Sequence, residues 1–230
     1  MNRQPSQPER RSFLISLNSR VAALAALATG SALAQGKSTR PWEPARHDQD
    51  DWLEKPASKH RLVFDATSGD AFGEAVAYAG NFLRVNQVDY GLRDDETAIV
   101  IVARHQATPF AFNDAMWAKY GTPIAAQAGF EDPKTKQPPA VNIYNSTGRG
   151  GELSNRGTTV DSLLKRGVQL AVCGLATHAF AGTIAAKTGG KADEIYNELI
   201  ANLLSNSRMV PAGIVAVSRA QERGYTGVKA

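Results

Sequence analysis

The sequence predicts an α/β fold, a three-layer α/β/α domain around a central, mainly parallel sheet of about five strands. Two observations predict this class. Short apolar runs alternate along the chain with segments whose apolar residues recur at helical spacing. One of the runs, Ile99-Val100-Ile101-Val102, is unbroken and β-branched, which is typical of a strand buried on both faces. Because each parallel connection returns the chain over a face of the sheet, helices are expected on both faces.

The predicted elements follow one another from residue 60 onward. In the first half they are a strand at 62–66, a helix at 70–86, a strand at 97–103 and a helix at 110–120. In the second half they are a helix at 158–166, a strand at 168–172, helices at 177–187 and 192–206, a strand at 208–211, a helix at 212–223 and a terminal strand at 225–229. The apolar residues of the first helix share one face: Phe72, Val76, Ala79 and Leu83.

Residues 1–34 predict a cleaved export signal of the twin-arginine type. Arg10-Arg11 stands shortly before Phe13-Leu14, a weakly apolar stretch follows at 21–28, and Ala32-Leu33-Ala34 has the form of a cleavage site. The apolar stretch is too short to span a bilayer, which takes about 20 residues. We therefore expect a periplasmic protein with no stable membrane insertion after cleavage. An ordinary secretory leader is the alternative, and it also predicts export.

The net charge of the mature chain argues against a nucleic-acid partner. The full chain has 26 basic and 22 acidic residues, of which four basic residues and one acidic residue lie in the leader. The mature protein therefore carries a net charge of about +1 with histidine neutral. No basic run is dense enough to indicate nucleic-acid or membrane-surface binding.

Two segments depart from the alternating pattern of strands and helices. Residues 35–59 are polar, which predicts an extended arm or a short helical turn pinned by Trp42, Trp52 and Leu53. Residues 131–157 are rich in proline and glycine, which predicts a loop insertion with a short strand or hairpin at 141–144. The remainder of 60–230 has the length of one compact domain.

Cys173 is the only cysteine, and it follows an apolar run directly before Gly174. A lone thiol cannot form an intramolecular disulfide, so it is either a small buried hydrophobe or a reactive group. Sites in parallel sheets form at the carboxyl ends of the strands, where the segments after Ala66, Ala103 and Cys173 should meet. His105 and His178 follow two of these strands and are candidate proton carriers or anion stabilisers. A capped helix end or a solvated loop is the alternative for each histidine.

Cofactor binding is not indicated. One cysteine and four scattered histidines provide no metal-ligand spacing, so neither a metal nor an organic cofactor is expected.

Two segments resemble the DsrE-like sulfur-relay family. Gly167-Val168-Gln169-Leu170-Ala171-Val172-Cys173-Gly174-Leu175-Ala176, followed by Gly182, is similar to the family's cysteine segment. Val210-Pro211-Ala212-Gly213-Ile214-Val215, followed by Gln221-Glu222-Arg223-Gly224-Tyr225 and Val228-Lys229, is similar to its C-terminal end. The resemblance covers 60–230 apart from the insertion. It departs at Ala181-Gly182, where several relay members have an Arg-Gly pair.

The resemblance implies a DsrEFH-like α/β/α domain, a homo-oligomer of three or six subunits, and a persulfide carried on the cysteine that is Cys173 here. A cysteine at a helix N-terminus is favoured as thiolate, the nucleophile in sulfur exchange. The implied partners are sulfur donor and acceptor proteins or small sulfane-sulfur compounds. Cys173, His178 and His105 are then the candidate catalytic residues. The alternative is a non-catalytic DsrE-like module for ligand binding or oligomeric assembly, in which Cys173 is a packed strand end.

Overall fold

A computed structural model describes residues 42–230, so the predicted leader and residues 35–41 of the arm lie outside the described residues. The strands are β1 His60–Ala66, β2 Thr97–Ala103, β3 Gln169–Cys173, β4 Ser207–Val210 and β5 Thr226–Lys229. The helices are α1 Gly69–Tyr90, α2 Asp114–Ala128, α3 Val160–Lys165, α4 Gly174–Thr188, α5 Ala192–Ala201 and α6 Gly213–Glu222. Short 3-10 helices lie at Asp48–Leu53, Asp94–Glu96, His105–Ala111, Ile143–Asn145 and Gly150–Glu152.

The five strands form one parallel sheet in the order β4-β3-β2-β1-β5, which confirms the predicted fold class. Helices α1 to α5 contribute to the larger apolar cluster on one face of the sheet. Helix α6 and Leu53 belong to the smaller cluster on the other face. This division follows from the connections: the chain steps from β1 to β4 along one face and returns to β5 over the other.

Several boundaries differ from the predicted ones. Helix α1 begins at Gly69, where the hydroxyl of Ser68 accepts a hydrogen bond from the backbone N–H of Ala71 at 3.2 Å, and it ends at Tyr90, before Gly91, whose φ is +67°. Helix α4 begins at Gly174, three residues earlier than predicted. Cys173 therefore directly precedes the helix, with no residue between them.

The described part of the arm forms a short helical turn, which was one of the two conformations expected from the sequence; the other was an extended arm. Its 3-10 helix ends at Leu53, which is fully buried in the smaller cluster, and Trp52 packs against that cluster. The hydroxyl of Tyr225 donates to the Leu53 carbonyl at 2.8 Å and fixes the arm to the end of the domain. Trp42, by contrast, is 77% exposed.

The insertion at 131–157 contains no strand, so the predicted strand or hairpin at 141–144 was wrong. The side chain of Asn142 donates to the carbonyls of Phe110 and Phe112 at 2.7 and 2.9 Å and accepts from the N–H of Tyr144 at 3.2 Å. These bonds wind the chain into the 3-10 turn Ile143–Asn145.

The insertion packs on the face of the sheet that carries the larger cluster. Tyr144 is fully buried there, and its hydroxyl donates to the Gly69 carbonyl at 2.7 Å. The rings of Phe72 and Phe110 surround it. None of the described helices is both long enough and apolar enough to cross a membrane.

Candidate functional site

The connections that follow β3 and β4 leave the sheet on opposite faces, and we call the region at the carboxyl ends of these two strands the crevice. After β3 the chain enters α4 on one face of the sheet, whereas after β4 it enters α6 on the other. In the sheet register Cys173 lies opposite Val210, so Cys173 is at the mouth of this crevice. A divergence of this kind is where open parallel sheets bind their ligands.

Cys173 ends β3 and directly precedes the first residue of α4. Its carbonyl accepts a hydrogen bond from the buried hydroxyl of Thr177 at 2.9 Å. Since Val172 belongs to the larger cluster, the alternation of side chains along a strand directs Cys173 to the opposite face, where α6 packs. The residue is 6% exposed, so its thiol is nearly covered.

The turns after β3 and β4 approach each other closely. A Cβ atom at Gly174 would lie 3.1 Å from the Val210 carbonyl oxygen and 3.3 Å from that of Pro211. The N–H of Leu175 donates to the Pro211 carbonyl at 3.3 Å. Glycine at 174 therefore lets the two turns join beside the thiol.

Arg104 and Asp65 form an ion pair beside Cys173, and neither residue was predicted from the sequence. The pairing of Ala103 with Val172 places Arg104, the next residue along, next to Cys173 in register. Nε and Nη2 of Arg104 donate to the two carboxylate oxygens of Asp65 at 2.6 and 2.8 Å. The side chains of Arg104 and Asp65 are only 27% and 17% exposed, respectively. The two hydrogen bonds therefore hold the guanidinium at the carboxyl end of β2.

A sequence signal for this pair exists. Asp65 and Arg104 each lie two positions after a valine, Val63 or Val102, that faces the smaller cluster. Period-two alternation therefore assigns both charges to the face to which Cys173 also points. Charged residues at the ends of buried strands usually form ion pairs. An ion pair between Asp65 and Arg104 could therefore have been predicted.

The ion pair places a cation beside Cys173. The hydrogen bond with Asp65 raises the pKa of Arg104, burial partly opposes this, and the charges of Asp65 and Cys173 add smaller increases. The first turns of α4 and α6 contain no acidic residue. The positive ends of these two helices therefore act together with Arg104 near the thiol.

Gly213 allows α6 to pack directly over Arg104. A Cβ atom at Gly213 would lie 2.5 Å from Cβ of Arg104 and 3.2 Å from Cγ1 of Val102. Glycine at the first position of α6 thus allows the N-terminus of this helix to contact Arg104.

The two histidines named by the sequence analysis lie apart from each other. His178 is exposed on α4, stacks on Tyr196 with ring centroids 3.6 Å apart, and lines a depression with Met209 and Pro211. His105 has a φ of +55° and lines a different depression with Gln106 and Gln127. The structure therefore does not gather Cys173, His178 and His105 into one cavity.

No cluster of three or more histidine, cysteine, aspartate or glutamate side chains that could hold a metal ion occurs between residues 42 and 230. The chemistry available at the crevice is that of a thiol, a guanidinium held by a carboxylate, and two helix N-termini.

Comparisons with known proteins identify no family. No family model and no curated protein matches the chain. One solved structure to which it is similar is described as the structure of a protein of unknown function, MTH1491, from Methanobacterium thermoautotrophicum. The two chains are 14% identical with a TM-score of 0.38, and the match covers 75% of this chain and 100% of the other. A similarity of this size carries no argument about function.

Proposed function

We propose that this protein is an exported DsrE-like sulfur carrier that holds sulfane sulfur as a persulfide on Cys173. The observation that supports the proposal most strongly is the position of Arg104, paired with Asp65, beside Cys173 at the carboxyl ends of β2 and β3. A cation held in register beside a strand-end cysteine favours the thiolate, which is the reactive form.

Loading consists of one sulfur exchange. With thiosulfate as donor, the Cys173 thiolate attacks the outer sulfur, a new S–S bond forms, and the S–S bond of thiosulfate breaks with its electron pair leaving on sulfite. The product is a cysteine persulfide anion, so the total charge is unchanged and neither an oxidant nor a metal is required. An inorganic polysulfide reacts in the same way and leaves as a chain one sulfur shorter.

Arg104 has a direct part in this step. Its guanidinium lowers the energy of the attacking thiolate and then of the persulfide anion, and Asp65 keeps it in place. In this chain Arg104 supplies, from the neighbouring strand, the cation that is absent at Ala181-Gly182. His178 and His105, which line separate depressions, remain candidate proton carriers for this step.

Export and assembly belong to the same proposal. The twin-arginine leader would deliver the folded protein to the periplasm, where thiols are oxidised, so the carrier would work with dedicated sulfur donor and acceptor partners. The resemblance to DsrE-like proteins supports a homo-oligomer of three or six subunits.

A second candidate function is a non-catalytic DsrE-like binding or assembly module. The observation that favours it is the 6% exposure of Cys173, since a nearly covered thiol also fits a purely structural role. The two candidates differ in whether a small sulfur donor reaches the thiol.

The intact mass of the protein after incubation with polysulfide or thiosulfate distinguishes them. We expect the mature protein to gain one sulfur atom, and the gain to be removed by a reducing thiol. The Cys173→Ser variant, which changes one atom, should gain none. An unmodified wild-type thiol under conditions that load free cysteine, or an equal gain in Cys173→Ser, would exclude the carrier function.

A further inference from the structure

An apolar groove lies against β1 and β5, on the face that carries α1. Its volume is about 670 Å³, and it lies between α1 and the two strands. Side chains of both strands reach it from the sheet, among them Leu62, Phe64 and Val228. It includes none of the residues assigned to the Cys173 crevice.

The groove exists because of the way the sheet is covered. Among the described helices, α1 packs over β1 and β2, while α6 contacts β5 from the opposite face. Strand β5 lies at the edge of the sheet, next to β1. None of the described helices covers the face of β5 on the α1 side, so this face forms the base of the groove beside α1.

Helix α1 presents an apolar stripe to the base of the groove. Tyr78, Phe82 and Val85 recur at helical spacing and line the groove together with Tyr90. Phe82 also packs against the core cluster that contains Val76, Ala79 and Leu83, whereas Tyr78, Val85 and Tyr90 are not part of that cluster. Helix α1 therefore presents more apolar surface than its packing onto the sheet uses.

The chemistry of the lining specifies the kind of ligand. Among the described residues its polar members are His60, Asn81 and Asn86, and none is a lysine, arginine, aspartate or glutamate. A charged ligand would find no partner of opposite charge in this lining, so an uncharged ligand fits it better. The volume lies within the range of small-molecule sites, which are mostly apolar with a few hydrogen-bonding groups.

We propose that this groove binds an uncharged, largely apolar small molecule of aromatic shape that carries one or two hydrogen-bonding groups. Its rings lie between the aromatic side chains of α1 and the base formed by Phe64 and Val228, and its polar group meets His60 or the asparagines. This site is separate from the sulfur chemistry, and its test does not depend on Cys173.

The test uses N-phenyl-1-naphthylamine, an uncharged aromatic amine that fluoresces in apolar surroundings, with the mature full-length protein. We expect saturable binding at one site per chain. Val85→Arg puts a charge into the lining and should weaken binding by about tenfold or more. Val88→Arg is the matched control, because Val88 lies on the same helix but is 70% exposed and does not line the groove. It should change the affinity by less than about twofold.

Other outcomes would overturn the proposal. They are the absence of saturable binding in the wild type, or an equal loss of affinity in both valine variants. If Val85→Arg does not fold, Asn81→Trp blocks the groove sterically from an exposed position and must also weaken binding. If light scattering shows a dimer that Val85→Arg dissociates, and the probe does not bind, the groove is a contact between copies of the chain and the ligand proposal fails.

Discussion

Replacing Arg104 with alanine is expected to slow the loading of sulfur onto Cys173 by about 10- to 100-fold, which corresponds to about 1.4 to 2.7 kcal/mol of lost transition-state stabilisation. The physical reason is that Arg104 lies next to Cys173 in register and is held there by both oxygens of Asp65. Its removal leaves the anionic sulfur with only the two helix N-termini for stabilisation. The measurement is the single-turnover rate at which the intact mass gains one sulfur in excess thiosulfate.

Arg166→Ala is the matched control for this prediction. Nε and Nη2 of Arg166 donate to the two carboxylate oxygens of Asp94 at 2.8 and 2.7 Å, which is the same bidentate geometry. Both side chains of this pair are also only partly exposed. Asp94 precedes β2, however, so this pair lies at the amino end of the sheet, away from Cys173. Arg166→Ala should leave the loading rate unchanged, and Arg104→Lys should restore part of it. Equal rates for Arg104→Ala and the wild type would remove Arg104 from the mechanism.

Replacing Asn142 with alanine is expected to lower the free energy of unfolding by about 3 kcal/mol. The side chain is fully buried and makes three hydrogen bonds to backbone groups. Alanine makes none of them and leaves the buried carbonyls of Phe110 and Phe112 without this donor. Urea denaturation followed by circular dichroism measures the difference.

Asn197→Ala provides the comparison for this stability effect. Asn197 is exposed on α5, so its replacement should change the free energy of unfolding by less than about 0.5 kcal/mol. The insertion packs on the face opposite to the Cys173 side chain, so folded Asn142→Ala should still load sulfur at the wild-type rate. A loss of loading without a loss of stability would mean that the insertion belongs to the site.

The alternation of strands and helices was readable from the sequence because it depends on local spacing. Strand β2 was predicted with its observed bounds, since an unbroken β-branched run leaves few alternatives. The 3-10 helix His105–Ala111 was not predicted, because it starts from a left-handed His105 and contains Pro109. Neither feature follows from apolar periodicity.

The ion pair at the crevice was missed for a different reason. Asp65 and Arg104 are 39 residues apart, and only the order of the strands brings their ends together. The alternation along each strand gives the face, but the neighbouring strand comes from the topology. The apolar groove also depends on topology, because it forms only where β5 lies at the edge beside β1.

The release of sulfur from the loaded protein shows whether Cys173 carries sulfur reversibly. The isolated persulfide form is mixed with an excess of cyanide, which attacks the outer sulfur and leaves as thiocyanate while the electron pair returns to Cys173. We expect one thiocyanate per loaded chain and a return to the unmodified mass, after which the same protein accepts sulfur again. A modified mass that persists, or a protein that never acquires the sulfur, would exclude Cys173 as a sulfur carrier.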